Sequence, residues 1–341
     1  MNAEKRLGAH TIRLASPVAV LASGCAAGRK EGQGPLRAAV DTLYDDDLIG
    51  QDSWEKAESH MQREALNQAL KKASAELSAM DMVFAGDLLN QCAGSTFGLR
   101  ESGVPFYGLY GACSTMAESI SLAAICIDGG FAARAAAVTS SHYCSAERQY
   151  RLPLDYGAQR APTAQWTVTG AGAALLGTRG PGPFITHIAT GKIVDAGITD
   201  AANMGAAMAP AAYDTLSAFF SETGLGPEAH DLIVTGDLGS VGSQIVRDLF
   251  LSDGVDLAGR YNDCGTMIFD CAAQDVHSGG SGCGCSAVVL CGHIFAEMRK
   301  GTWNSVLFCG TGALHSPVSA AQGDSIPAVA HAVRFVRGET L

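Results

Sequence analysis

Cys113 stands in the stretch of the chain best suited to chemistry, Gly111-Ala112-Cys113-Ser114-Thr115-Met116-Ala117-Glu118-Ser119. A β-prone run from Val104 to Tyr110 leads in, and a small-residue helix over about Ser114 to Asp128 leads out. The thiol then sits where a strand gives way to a helix. Free backbone N–H groups and the positive end of the helix dipole favour a negative group there. A thiol in that place is expected to lose its proton easily. Two roles follow for Cys113: a nucleophile or ligand-facing thiol, or a buried cysteine acting as a small hydrophobe. A second glycine turn, Ser281-Gly282-Cys283-Gly284, opens another small-residue helix. His277 adjoins Ser278-Gly279-Gly280 directly before that start and is a candidate site residue for that reason, whereas His142 and His315 read as structural.

Other chemistries are disfavoured by spacing. Cys264, Cys271, His277, Cys283 and Cys285 fall in a short span without a paired C-x-x-C pattern, so no metal site is expected. Asp45-Asp46-Asp47 lacks the alternating ligands of a calcium loop and reads as a solvated acidic turn. Gly170-Ala171-Gly172 has no downstream ribose-binding acid, so no nucleotide cofactor is expected either.

The elements that must carry these turns are legible in part. Thr11 to Ala22 reads as a first strand, apolar on both sides as in a covered central strand. Gly24 to Pro35 then reads as a loop. Leu21-Ala22-Ser23-Gly24-Cys25 faintly resembles a lipoprotein cleavage site, but Glu4 and Pro17 interrupt the leader, and a strand is the better reading. Ser53 starts a helix whose apolar positions, Ala57, Met61, Ala65, Leu66, Ala69 and Leu70, recur at helical spacing. Asp81 to Leu88, Arg134 to Ser140 and Gln165 to Gly177 read as strands. The polar stretch from His142 to Thr163 is too long for an ordinary connection and reads as functional, disordered or an interface arm.

The second half of the chain repeats the first. Asp81-Met82-Val83-Phe84-Ala85-Gly86-Asp87-Leu88 recurs as Asp231-Leu232-Ile233-Val234-Thr235-Gly236-Asp237-Leu238. The Cys283 turn answers the Cys113 turn, Ser305 to Thr311 answers Ala135 to Ser141, and Ala328 to Val336 closes the half. The pattern predicts a duplicated α/β unit, residues 1–178 and 179–341, with two mainly parallel sheets. Ligands in such folds sit at strand C-termini and helix N-termini, which puts both cysteine turns at one kind of position.

Composition agrees. The chain has 341 residues, 47 % hydrophobic and 17 % charged, with 41 glycines, as in a well-buried α/β protein with many tight turns. A net charge of −11 and no basic stripe argue against a nucleic-acid partner. Eleven scattered cysteines fit a reduced compartment rather than a disulfide framework. No apolar run approaches the ~20 residues of a membrane span.

Five stretches carry a resemblance. They are Gly28 to Leu36, Gly111 to Ser119, Pro162 to Gly172, Met204 to Pro210 and Gln274 to Gly284. In these the chain resembles the stage V sporulation protein AD (SpoVAD) family of the thiolase-like superfamily, over nearly its whole length. The resemblance implies a thiolase-like fold, two α/β halves layered αβαβα. It implies a spore protein that binds dipicolinic acid, pyridine-2,6-dicarboxylate, within machinery that moves this acid with calcium into the forespore. It further implies a soluble homodimer, held at the inner forespore membrane by membrane-embedded partner subunits.

The alternative is an acyltransferase of the thiolase or ketoacyl synthase kind. In that case Cys113 aligns with the nucleophile, and His277, near where those enzymes keep His or Asn, is the second catalytic residue. The second glycine turn lacks the Asn and Gly-His-Pro of those enzymes, although Cys309 lies near their second cysteine. A dicarboxylate ligand needs donors and a flat wall instead. Cys113, Ser114, Thr115, His277, Ser278 and Gly279 are the expected donors. Arg148, Arg151 and Arg160 are the candidate cations.

Overall fold

The computed structural model describes residues 5–150 and 160–338; Arg151 and the middle of the 142–163 stretch lie outside them. The first half holds strands β1 Thr11–Ala27, β2 Thr42–Leu43, β3 Met82–Gly86, β4 Phe106–Leu109, β5 Arg134–Ser141, β6 Trp166–Thr167 and β7 Gly170–Gly177. Its helices are α1 Trp54–Ala73, α2 Ala93–Leu99, α3 Thr115–Asp128 and α4 Tyr143–Tyr150. The second half holds β8 Phe184–Thr190, β9 Leu232–Thr235, β10 Tyr261–Asp263, β11 Gly280–Ser281, β12 Ser305–Ala313 and β13 Ala328–Val336. Its helices are α5 Met204–Thr223, α6 Gly239–Ser252, α7 Cys264–Ile268, α8 Cys283–Val288, α9 Phe295–Lys300 and α10 Pro317–Ala321.

The strand order is β10-β9-β12-β13-β8-β1-β7-β5-β3-β4. The outer strands of each half pair in parallel, β3 with β4 and β5, and β9 with β10 and β12. Toward the seam the pairs turn antiparallel. The ladder also continues between the halves, because β1 pairs with β8. Register breaks between Arg13 and Val18 and between Val20 and Ala22 let this 17-residue strand bend while serving both sides. It runs past the expected end at Ala22, since Cys25, Ala26 and Ala27 are all buried.

Side-chain alternation sorts the residues into three cores. On β12, Val306 and Phe308 point into a central core with Met116, Ile120, Val289 and Phe335. Their neighbours Leu307 and Cys309 point into an outer core under α5, with Met208, Leu216 and Phe219. On the other side Met61 and Leu66 of α1 pack on Val138, Ala173 and Leu175. Helix α3 lies between the sheets and touches strands of both. The layers are therefore helix, sheet, helix, sheet, helix.

The duplication extends to atoms. The Asp81 carboxylate accepts from the Ala133 and Arg134 N–H groups, and the Asp231 carboxylate accepts from those of Asn304 and Ser305. Each central helix begins against the other half's sheet. A Cβ on Gly312 of β12 would lie 2.3 Å from the Gly111 carbonyl oxygen, and one on Gly284 of α8 would lie 2.4 Å from that of Gly170. Only glycine permits these approaches, and they bring both cysteine turns to one place.

Candidate functional site

Cys113 lines a cavity of about 350 Å³. It follows Ala112, whose backbone is left-handed at φ 49°, and precedes α3. Two donors expected beside it point elsewhere. Ser114 and Thr115 are fully buried and donate within their own turn, to the Gly111 and Ala112 carbonyls at 2.6 Å each.

What meets Cys113 is Asp237, from the loop after β9. This carboxyl is fully buried. Its Oδ2 accepts from the Ser281 hydroxyl and the Gly282 N–H, both at 2.9 Å, and its Oδ1 accepts from Thr311 Oγ1 at 2.8 Å. The Cys113 thiol donates to it as well. The open N–H of the second glycine turn is thus spent on a protein carboxyl. Burial, and then the Asp237 charge, hold the Cys113 thiol well above its usual pKa. The direction is opposite to the expected easy loss of its proton, because these effects outweigh the helix start. Burial also raises Asp237, against the pull of its four donors.

The cavity has one guanidinium among its described lining residues, that of Arg160. Its Nη1 reaches Glu147 at 3.5 Å and the Tyr143 hydroxyl at 3.2 Å, and its Nη2 donates to the Gln165 carbonyl. The group also lies over the ring of Trp166, 5.1 Å from its centroid, and Trp166 stacks on Tyr143 at 4.0 Å. Its Nε is buried and has no partner among the described residues. The short parallel pairing of β6 with β11 sets Trp166 beside Gly280 and Thr167 beside Ser281, and Gln165, Thr167 and Ser281 all line the cavity. Tyr110 and Tyr150 form another wall, joined hydroxyl to hydroxyl at 2.6 Å, and Tyr150 donates on to the Leu88 carbonyl. Leu88, Ala112, Ala146, Ala164, Met204 and Met208 supply apolar lining.

The remaining predicted residues lie off this cavity. His277 sits in a left-handed turn at φ 51° with its Nε2 3.4 Å from Asp275. The loop behind it is a brace: the Ser278 N–H donates to Ala164, its Oγ accepts from Val241, and the Gly279 carbonyl accepts from Trp166. Arg148 pairs with Glu55 and lies over Trp54. His142 is buried against the Asp47 carbonyl, whereas His315, read as structural, lines the cavity. Sequence reasoning passes over Asp237, Gln165 and the two tyrosines. The repeated strand ending in Asp87 and Asp237 is the available signal for the first.

The family description "Stage V sporulation protein AD (SpoVAD)" matches residues 8–336. Stage V sporulation protein AD of Bacillus subtilis (strain 168) is 45 % identical over 334 residues, covering 98 % of each chain. Among solved structures, a single-residue variant of Xanthomonas campestris OleA superposes with a TM-score of 0.60 at 16 % identity, over 95 % of this chain and 100 % of that one. The 3-oxoacyl-[acyl-carrier-protein] synthase III of Aquifex aeolicus VF5 gives 0.57 at 12 % identity, over 94 % and 99 %. Those two likenesses establish the thiolase-like fold. With a match along almost its entire length, the chain belongs to the stage V sporulation protein AD family.

Proposed function

We propose that this sporulation protein binds dipicolinic acid in the cavity beside Cys113, as a component of the machinery that moves the acid with calcium into the forespore. The observation that carries the reading is Arg160. A planar guanidinium clamped at the wall of an apolar, aromatic cavity of ligand size suits a carboxylate on a flat ring. Tyr110 and Tyr150 offer the ring a wall, and Ser281 and Gln165 offer polar groups nearby. Burial and the Asp237 carboxyl disfavour the Cys113 thiolate, the form that acts as nucleophile, and this supports binding over acyl transfer. The proposed protein is a homodimer attached to the membrane through membrane-embedded partner subunits; among its described residues no helix is long and apolar enough to cross a membrane.

Calorimetric titration with dipicolinate tests this directly. Saturable binding is expected, weakened at least about tenfold by Arg160→Ala, a loss on the scale of one charge-assisted hydrogen bond. No heat at millimolar ligand would end the proposal. Intact mass after incubation with acyl thioesters is expected to show no adduct on Cys113; an adduct there would favour the acyltransferase. Sedimentation equilibrium would check the dimer.

A further inference from the structure

The cavity wall holds a conflict of charge. Arg160 is already paired with Glu147, so that pair brings the cavity no net positive charge. Behind Cys113 and Ser281, both lining residues, lies the buried carboxyl of Asp237. The ionisable groups that act on one another around it come from every element packed there. They are Cys113 before α3, Asp263 at the end of β10, Cys264 on α7, and Cys283 and Cys285 on α8. All are acids. The cavity itself is lined by Glu147, Tyr110, Tyr150, His315 and Arg160. A dicarboxylate entering this space sets its negative charge next to another that is cut off from water, where repulsion is strong.

The same geometry offers a release. While Asp237 is ionised it claims the Ser281 hydroxyl at 2.9 Å and the Cys113 thiol, the two donors that also face the ligand. A carboxyl that gains a proton has one acceptor position fewer and can release one of the two. We infer that a dicarboxylate binds here together with a proton, taken from solvent by Asp237, whose neutralisation frees the Ser281 hydroxyl to turn toward the ligand. The step is a reversible proton transfer from a buffer acid to an Asp237 carboxylate oxygen: the acid's bond to its proton breaks, the carboxyl O–H forms, and the buffer's conjugate base stays in solution. Asp237 is then a specificity-determining residue that ties affinity to pH. The inference rests on the proposed dicarboxylate reading.

The test is calorimetry with dipicolinate at pH 6 to 9, in buffers of different ionisation enthalpy. The native protein is expected to take up as much as one proton per ligand. Its Kd should weaken with rising pH, by up to tenfold per unit once Asp237 is ionised in the free protein. Asp237→Asn should bind with no uptake and a flat pH profile. Should that variant fail to fold, Ser281→Ala serves instead, with affinity lowered several-fold and most at the lowest pH. Binding with equal heats in all buffers and a pH-independent Kd would overturn this inference and leave the binding reading standing. Uptake that survives in Asp237→Asn and vanishes in His315→Gln would also overturn it. Absence of binding removes both.

Discussion

Cys113 occupies a position that lowers the pKa of many thiols, yet here it rises. A helix start contributes only ~0.3–1 kcal/mol to an anion, less than one pKa unit. Burial and the adjoining Asp237 carboxyl act in the opposite sense and prevail. Alkylation by iodoacetamide at pH 8 should therefore be slow at Cys113. Asp237→Asn should speed it several-fold by removing the charge that holds the proton, as followed by intact mass. An unchanged rate would mean that burial alone protects the thiol. Arg160 makes a second residue-level prediction. Arg160→Lys keeps the charge but loses the planar fork and its stacking on Trp166, so dipicolinate affinity should fall about tenfold, the loss of one strong hydrogen bond. His277 reads as a site residue only from the glycines beside it. Those glycines serve the brace around Ser278, and sequence adjacency to a helix start does not say which way a loop turns.

Among the elements, the best-read ones carry strong local signals. Helix α1 begins after Ser53, whose side chain caps the Lys56 N–H, and its predicted apolar face is buried. Strand β13 spans the expected Ala328–Val336. Helix α5 is not legible in the sequence, because alanines on nearly all its sides blur the helical period. Strand β8, the seam between the halves, likewise escapes a sequence reading. Helix α4 is hidden in a polar stretch that reads as functional, disordered or an interface arm. The glycines under the central helices give a prediction at this scale. Gly312→Ala and Gly284→Ala should each destabilise by ~1–3 kcal/mol, the usual cost of forcing atoms into a packed core. The measurement is a urea midpoint that falls at unchanged m-value. Full stability in either variant would mean that the halves can move apart at little cost.

Across the whole molecule, buried acids and histidines set how stability depends on pH. Burial raises Glu31 and Asp263 to about 7 and Glu58 to about 8, Glu58 also through neighbouring Asp87. A raised acid adds stability that is complete below its unfolded pKa and is lost as pH rises through its folded value. Burial also lowers His187, His230 and His331 to about 4, and their stabilising effect is lost as pH falls from about 6.5 toward 4. These contributions oppose one another between about pH 4.5 and 6.5, whereas above that only the acids titrate. The thermal midpoint should thus be roughly level from about pH 4.5 to 6.5 and decline through pH 8, less steeply in Glu58→Gln. A midpoint that climbs over pH 7 to 8 would contradict this account. The sequence by itself determined the duplication, the order of most elements and the seat of Cys113 at a helix start, because repeats and periodicity are properties of spacing along one chain. Only the tertiary structure decided that Asp237 meets this thiol, that Arg160 and two tyrosines share its cavity and that His277 does not. Each central helix starts against the opposite half's sheet, and that exchange joins residues from distant parts of the chain, a proximity that no local pattern encodes.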